Sequence, residues 1–436
     1  MKRTSAVNKF TILAGSLLLC IQPLSAVQQH VEGRWDGERS RWNDELRVRI
    51  DIRTRIDGER IRSGFSLRAA DIDGDVLARS TRDRVPVRFV IRREAGTFTF
   101  EGVQVGIEAW GDFTWSGDPG FLSQMARRGY DDITTREHLN MTMFDVSTEF
   151  IDDMERRGYD LSISEMMSAR IHGVDAGFVD ELSDEGLDGL SIDDLLSARI
   201  HGVSGDYIRE MSDLGFDRLD LDDLLRGRIH GVTREHAAGM VRLGLRNPSF
   251  DDLVRMRIHG VSEDFAAEMA ENGYSDLSVN DLVEMRIHGV STVFVRELEE
   301  AGYENLTAGK LKKLRIHGVS VDFINEMSRL GFSNYSLDDY VEFRIHGVTP
   351  SFIRSMAELG YSDMSASRLR EFRIHGVTDS FVREMAEVGY DDLSPRSLVR
   401  MRIHGVDADF VRELERHGIE GLSPSRLVRA KIHGDW

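Results

Sequence analysis

The sequence predicts a mainly α-helical protein, an α-solenoid of about eleven helix-pair repeats preceded by a small antiparallel β domain. Two observations carry this prediction. A 29-residue repeat fills residues 118–436, and apolar residues alternate with polar residues over much of 27–117. Alternation with period two is typical of strands with one buried face, whereas a repeat of this length indicates stacked supersecondary units.

Residues 1–26 have the layout of a secretory signal peptide. Lys2 and Arg3 precede an apolar stretch over 10–21, and Ala26 is the expected cleavage point. The stretch is shorter than the roughly 20 residues that a spanning helix needs. A retained anchor and a lipid-modified Cys20 are the alternatives. The sequence therefore predicts a periplasmic or secreted protein with no integral membrane span after signal cleavage.

The cysteine count and the net charge restrict the chemistry further. Cys20 is the only cysteine and lies in the predicted leader, so the mature chain has no disulfide and no thiolate metal ligand. The net charge is -19, and removal of a leader with three basic residues leaves -22. Such a field repels nucleic acid, so no nucleic-acid partner is expected.

The segment 27–117 predicts the β domain. Apolar residues alternate with mostly polar neighbours over 46–52 and 85–91, and turns are predicted at 95–96, 101–102 and 111–112. We expect five or six strands that form a small antiparallel sheet. The sheet is expected to pack on the first helix pair.

The repeat is defined by the tetrapeptide Arg-Ile-His-Gly or a close variant of it. The histidines of this tetrapeptide, the ladder histidines, recur at intervals of 29 and are His172, His201, His230, His259, His288, His317, His346, His375, His404 and His433. The first unit has Phe144 and Asp145 in place of the histidine signature. Ten evenly spaced copies exclude coincidence and make this repeat the main feature of the sequence.

Each repeat predicts two short helices with a polar start and a glycine stop. In one unit Ser262 and Gly273 bound the first helix, and Ser278 and Gly289 bound the second. Serine at a start accepts hydrogen bonds from free amides, and glycine adopts the left-handed conformation that ends a helix. Helices of about ten residues do not persist alone in water, so neighbouring pairs must stack into one core.

The ladder histidines have three interpretations. Each histidine ends a helix, where a donor or cationic side chain meets unpaired carbonyls, and this structural role is preferred. Metal binding needs ligands that converge on one ion, whereas adjacent helices pack about 8–10 Å apart. A pH-sensing role is the third interpretation. The preceding arginine is expected to serve the helix end too, or to pair with acids of the adjacent unit.

Other candidate sites are weaker. The segment 71–75 resembles the start of a calcium loop, but Val76 replaces the glycine of an EF-hand and Arg82 replaces the final glutamate. A solvated turn is therefore expected there. Recognised catalytic motifs do not occur in the sequence. The sequence thus predicts no enzyme, no catalytic residue, no cofactor and no metal site.

The consensus Val-Thr-x-x-Phe-Val-Arg-Glu-Met-x-x-x-Gly-Tyr-x-x-Leu-Ser, ending in Arg-Ile-His-Gly, resembles repeats of bacterial envelope proteins. It is similar to the extra-membrane tails of sensor-type membrane metallopeptidases of the β-lactam-sensing antirepressor kind. The resemblance covers about residues 118–436, and the segment 96–102 is similar to a strand pair before such repeats. No peptidase motif is present. The resemblance therefore implies architecture and compartment, but no activity and no site residues.

These observations predict an exported, non-enzymatic repeat scaffold that binds another protein in the bacterial cell envelope. A metal- or pH-responsive histidine-ladder protein, and an accessory or inhibitor subunit of an envelope sensor or peptidase, are the alternatives. Residues that vary between units beside the ladder histidines are the candidates for partner contact. They are Glu284, Lys313, Glu342, Glu371, Arg400 and Arg429.

Overall fold

The computed structural model describes residues 29–42, 45–74, 81–243, 245 and 248–434. The predicted leader, Cys20 and part of the calcium-like loop lie outside these residues. Over the described residues an antiparallel sheet of seven strands is followed by 22 helices. The chain divides into two compact units, Met1–Gly205 and Asp206–Trp436. Each unit is described by itself.

The sheet belongs to the first unit and its strands are all antiparallel, in the order β3-β2-β1-β7-β6-β5-β4. A 3-10 turn, Ala69–Asp71, joins the third strand to the fourth. The strands are β1 (His30–Trp42), β2 (Glu45–Ile56), β3 (Glu59–Arg68), β4 (Asp73–Gly74), β5 (Thr81–Arg93), β6 (Gly96–Gly106) and β7 (Glu108–Gly117).

The prediction of five or six strands was wrong, because β1, β3 and the two-residue β4 add to those visible as alternation. Two predicted turns were also wrong. Gly102 and Gly111 lie opposite each other inside β6 and β7. A Cβ on Gly111 would lie 2.0 Å from the Glu101 carbonyl oxygen, so glycine permits close strand contact here. The turn near 95–96 is confirmed, since it joins β5 to β6.

The core of the first unit lies on the inner face of the curled sheet. Trp35, Phe89 and Phe100 pack with ring centroids 4.7–5.5 Å apart. The Phe65 ring of β3 lies 6.1 Å from that of Phe98 in β6, although three strands separate β3 from β6 in the sheet. This contact shows that the sheet curls around its apolar side chains.

Six complete helices lie in the first unit, among the described residues. They are α1 (Pro119–Arg127), α2 (Thr135–Phe144), α3 (Thr148–Glu155), α4 (Ile163–His172), α5 (Ala176–Asp184) and α6 (Ile192–His201). Helix α2 packs on β6 and β7, so the expected contact between the sheet and the first helix pair is confirmed. Its Leu139 and Met143 belong to the core of the sheet.

The remaining helices, counted over the described residues, begin with α7 (Gly205–Ser212) at the unit boundary. The others are α8 (Leu221–Ile229), α9 (Arg234–Arg242), α10 (Phe250–Ile258), α11 (Glu263–Glu271), α12 (Val279–Ile287), α13 (Thr292–Glu300), α14 (Ala308–Ile316), α15 (Val321–Met327), α16 (Leu337–Ile345), α17 (Pro350–Glu358), α18 (Ala366–Ile374), α19 (Asp379–Glu387), α20 (Pro395–Ile403), α21 (Ala408–Arg416) and α22 (Pro424–His433). We call each odd-numbered helix and the next even-numbered helix a helix pair.

The helices begin where the sequence predicts. Ser262 caps α11 and Ser278 caps α12, each through its hydroxyl to a backbone amide. In α12 the Asp281 carboxylate also accepts from the Ser278 amide and completes a capping box, which the sequence analysis did not predict. The stop residues Gly273 and Gly289 have φ of 88° and 70°, the left-handed conformation that favours glycine.

Within each unit the helices pack on the next helix but one. In the first unit α2 packs on α4, and α4 packs on α6. In the second unit α10 packs on α12, and α12 packs on α14. First helices follow the same rule, as α11 packs on α13 and α19 on α21. Each pair therefore covers apolar faces of its neighbours, which short helices require for stability.

Candidate functional site

The end of each second helix is closed by its own backbone. In α12 the Gly289 amide donates to the Arg286 carbonyl (3.1 Å), and the Val290 amide donates to the Met285 carbonyl (2.8 Å). This pair of bonds is the Schellman motif, and the buried Val290 and Met285 give its apolar contact. These carbonyls are satisfied without His288. The imidazole therefore lies beside a helix end that is already closed.

The ladder histidines lie at the surface of their helix ends. Those with exposed residues are His172, His201, His230, His259, His288, His375, His404 and His433, whereas His317 and His346 are half-buried. His346 Nε2 lies 3.3 Å from a carboxylate oxygen of Glu342, one helical turn earlier. Among the described residues there is no group of three or more histidine, cysteine, aspartate or glutamate side chains that could hold a metal ion.

The isoleucine before each ladder histidine is exposed, which the apolar pattern of the helix does not predict. In α12 Leu282, Val283 and Met285 are buried, but Ile287 is 53% exposed. The other repeat isoleucines are 50–57% exposed and are Ile171, Ile200, Ile229, Ile258, Ile316, Ile345, Ile374, Ile403 and Ile432. The sequence signal for a role of this residue is its invariance, since all ten copies have isoleucine here while other positions of the repeat vary.

The arginine of most tetrapeptides stacks on an aromatic ring of the first helix in the same pair; at Arg257 the ring position is held by His236. The Arg286 guanidinium carbon lies 4.8 Å from the centre of the Phe265 ring. Equivalent contacts of 4.7–5.3 Å involve Arg170, Arg199, Arg228, Arg315, Arg344, Arg373 and Arg402. Lys431 replaces the arginine in the last copy and lies 4.1 Å from the Phe410 ring centre. The cation and ring attract each other and hold the two helices of a pair together.

In several copies the same arginine also joins neighbouring pairs. Arg286 Nε donates to the carbonyl of Gly260, which closes the second helix of the preceding pair (2.9 Å). Arg402 donates in the same way to Gly376 (3.0 Å). In the first unit Arg170 donates to the Phe144 carbonyl and pairs with Asp145 at 3.0 Å. Pairing with an acid of the adjacent repeat, which the sequence analysis expected, thus occurs at Arg170.

The candidate partner-facing residues fall into two sets. Lys313, Arg400 and Arg429 are exposed, but Lys313 pairs with Asp338 at 3.0 Å. Glu284, Glu342 and Glu371 are half-buried and paired within the protein, with Lys312, His346 and Arg368 respectively. Arg400 and Arg429 therefore add positive charge beside the ladder histidines, whereas Lys313 and the acidic members are neutralised within the protein.

Two buried histidines lie outside the ladder. His138 of α2 stacks on the Phe121 ring, meets the edge of Trp115, and its Nδ1 lies 2.9 Å from Gln29 Oε1. Burial lowers the pKa of His138 from 6.5 to about 4. His236 of α9 occupies the position of the repeat aromatic, and burial together with the charge of Arg257 lowers its pKa.

The calcium-like segment lies at the edge of the sheet. Arg68 holds Asp71 with two hydrogen bonds of 2.9 and 3.0 Å, and Arg92 pairs with Asp73. Asp75, Val76 and the side chain of Arg82 lie outside the described residues. Both described carboxylates at this segment are therefore neutralised by arginine.

Comparison with known proteins adds no family. A scan against protein-family models and a search of curated proteins found no match. Over the residues that the structure describes, no helix combines the length and apolar character needed to cross a membrane.

Proposed function

We propose that the chain is an exported, non-enzymatic repeat scaffold that binds a protein partner in the bacterial cell envelope. In this proposal the helix pairs stack as an α-solenoid of about eleven repeats over residues 118–436. The partner lies against the surface formed by the repeat isoleucines and ladder histidines. The contacts between pairs support the stacking, and the exposure of the isoleucines supports the binding surface.

Tyrosine hydroxyls give specific contacts between neighbouring pairs. In the first unit Tyr130 donates to the Leu161 carbonyl at 2.7 Å. In the second unit Tyr361 donates to Leu393 at 2.7 Å, and Tyr390 donates to Leu422 at 2.8 Å. Each bond joins the end of a first helix to the loop before the second helix of the next pair. Repeated ties of this kind support a stack in which neighbours stabilise one another.

The exposed isoleucine is the observation that carries the binding proposal. A branched apolar residue that is half-exposed adds little to the packing between pairs and forms helix less readily than alanine. The ten copies nevertheless all have isoleucine at this position. Contact with a partner gives this residue a role, because the partner removes its apolar surface from water.

The chemistry of the surface defines the partner. Each of the ten tetrapeptide copies presents one isoleucine, one histidine and a cation at the position of Arg286, within a chain of net charge -19. An acidic polypeptide segment with apolar side chains complements this surface in charge and in hydrophobicity. An extended segment reaches several repeats at once, so weak contacts at each repeat add into useful affinity.

Site-specific photocrosslinking tests the surface. A photoreactive amino acid replaces Ile287 in one variant and Val293 in a matched control, since these branched residues are 53% and 51% exposed. Both variants are incubated with envelope extract of the producing organism. We expect one defined protein adduct at position 287 and none at 293.

A further variant combines the photoreactive amino acid at position 287 with Ile316→Asp and Ile345→Asp. These changes should abolish the adduct at 287, since the partner contacts several isoleucines, while the helical dichroism stays unchanged. Equal adducts at 287 and 293, or an adduct that survives both aspartates, would contradict the proposed surface.

Export is tested separately. Expression of the full chain in a Gram-negative host should yield a protein whose mature N-terminus follows Ala26, as the leader predicts. N-terminal sequencing of the periplasmic fraction measures this. Recovery of uncleaved protein in the cytoplasm would refute export without affecting the binding surface.

A further inference from the structure

A cleft of about 780 Å³ in the first unit concentrates positive charge. One wall is formed by residues of β2 and β3, and the other is formed by the C-terminal ends of α2 and α4. Its described basic lining residues are Arg47, Arg49, Arg68, Arg93, Arg170, Arg199 and His172. Asp71 and Asp145 are the acidic residues among the described lining. Arg49 also pairs with Asp51, outside the lining, at 3.2 Å. The other five guanidinium groups against two carboxylates leave an excess of three positive charges.

The strand register places two of these arginines side by side. Arg47 of β2 lies directly opposite Arg68 of β3 in the antiparallel ladder. Like charges in this position repel and reduce stability. Arg68 is neutralised by Asp71, whereas Arg47 forms no ion pair with any described residue. This pairing lowers the stability of the empty cleft, and a bound anion relieves the repulsion.

The opposite wall holds a second arginine pair around one acid. Arg93 and Arg170 both contact Asp145, at 3.5 and 3.0 Å. The Arg93 side chain is only 14% exposed and donates to the carbonyls of Met143 (2.8 Å) and Thr142 (3.2 Å). These bonds fix the guanidinium at the cleft wall. The two cations share one carboxylate, so this wall also has excess positive charge.

We propose that this cleft binds a small polyanion that carries two or more phosphoryl groups. Arginine forks match phosphate oxygens with two parallel hydrogen bonds, and arginines are present on both walls. The volume is in the range of small-molecule sites, which measure about 300–1,000 Å³. A ligand with several negative charges is required because the excess of three positive charges exceeds what one phosphate neutralises. The cleft is positively charged although the chain as a whole has a net charge of -19.

Calorimetric titration with inorganic tripolyphosphate tests the proposal on the full mature chain. Arg47→Ser removes a cleft arginine that forms no ion pair with any residue that the structure describes. Arg62→Ser is the matched control, because Arg62 lies on the same face of β3, faces Arg53 across the ladder, and is outside the cleft lining. We expect Arg47→Ser to weaken tripolyphosphate binding by about tenfold or more, as for the loss of a charged hydrogen bond. Arg62→Ser should change it by less than about twofold.

Thermal unfolding gives a second measurement, which distinguishes an anion-binding role of Arg47 from a purely structural role. Without anion, Arg47→Ser should unfold at the same temperature as wild type or higher, because a like-charge contact is removed. With tripolyphosphate, wild type should gain more stability than the variant. No binding by wild type, or equal weakening by both substitutions, would overturn the proposal.

Two further ligands identify the chemical class of the molecule that the cleft binds. Tighter binding of oligoglutamate than of tripolyphosphate would also overturn the proposal and indicate an acidic peptide site. Vesicles containing phosphatidylglycerol distinguish the source of the phosphoryl groups. Vesicle binding that tripolyphosphate displaces indicates a lipid headgroup, whereas binding of free tripolyphosphate alone indicates a soluble ligand. Either of these two results supports the proposal.

Discussion

At the residue scale, the arginine of several tetrapeptides has two contacts at once. Arg286 stacks on Phe265 within its pair and donates to Gly260 of the preceding pair. Lysine retains the stacking, as Lys431 does on Phe410. A lysine ammonium does not reproduce the geometry of a planar guanidinium, which stacks and donates from Nε at the same time.

We predict that Arg286→Ala lowers the free energy of unfolding by about 1–2 kcal/mol, the sum of an exposed cation–π contact and one hydrogen bond. Arg286→Lys should recover part of this loss. Denaturant titration measures both variants. Arg296→Ala in α13 is the control, since that exposed arginine has no such contact and its removal should have little effect. Equal losses at 286 and 296 would show that the double contact adds nothing.

His138 predicts a pH dependence of stability in the first unit. Burial lowers its folded pKa to about 4, below the unfolded value of 6.5, so the folded state favours the neutral imidazole. Its contribution is complete above about pH 6.5 and declines as the pH falls through 4, by roughly 3 kcal/mol in total.

His138→Phe should remove this dependence, because phenylalanine has no proton to bind. Unfolding free energies of both proteins between pH 7 and pH 4 measure the difference, and all other titrating groups cancel in the comparison. Parallel curves for the two proteins would contradict the assignment to His138.

The exposure of the repeat isoleucine could not be predicted from the sequence. The repeat isoleucine lies within about 40° of Val283 on a helical wheel, so periodicity groups the two. Burial depends on where neighbouring helices end, and the pattern of a single helix does not contain this information. The contact of Arg286 with an aromatic ring could not be predicted from the sequence either, because it depends on how two helices pack together.

At the element scale, glycine has different roles in the two halves of the chain. Glycines at helix ends were predicted correctly because each follows an apolar-periodic segment at fixed spacing. In the sheet, Gly102 and Gly111 resemble turn residues in the sequence but lie opposite each other in mid-strand. Trp35 of β1 faces Gly111, and its indole donates to the Glu101 carbonyl two strands away. Contacts between different strands, which require glycine at these positions, cannot be recognised in the local sequence pattern.

We predict that Gly111→Ala destabilises the first unit by about 2 kcal/mol or more, because its Cβ would lie 2.0 Å from a backbone oxygen. Gly177→Ala, in the first turn of α5, is the matched control. Its Cβ would meet only the Asp175 side chain at 3.4 Å, and alanine should be neutral or stabilising there. Thermal unfolding checks both variants. A tolerated Gly111→Ala would disprove the close approach of β6 and β7.

At the scale of the whole molecule, stability is expected to depend on the presence of neighbours. The 29-residue period predicted this, along with the helix boundaries, since each short helix needs a partner. The sheet was less predictable because strands β1 and β3 combine charged residues with apolar ones, and their pairing is set by distant residues. The arginine cleft was not predicted at all, since it brings together segments from residue 47 to residue 199.

Coupling between pairs is measurable at Tyr390. Tyr390→Phe removes the bond to the Leu422 carbonyl and should cost about 1 kcal/mol. In a chain that ends at residue 406 the acceptor is missing, so the same substitution should cost nothing. Tyr335→Phe is the control in both lengths. An equal cost in the long and short chains would show that the hydroxyl does not tie neighbouring pairs.

Where the tyrosine and arginine contacts between pairs occur, they lie at the same positions of the 29-residue period. Removal or duplication of one full period between pairs that carry these contacts therefore places an equivalent donor opposite an equivalent acceptor at the new junction. Unequal recombination can then change the length of the chain by whole pairs without a redesigned interface. The number of exposed isoleucines would change in discrete steps, while the fold of each pair stays the same.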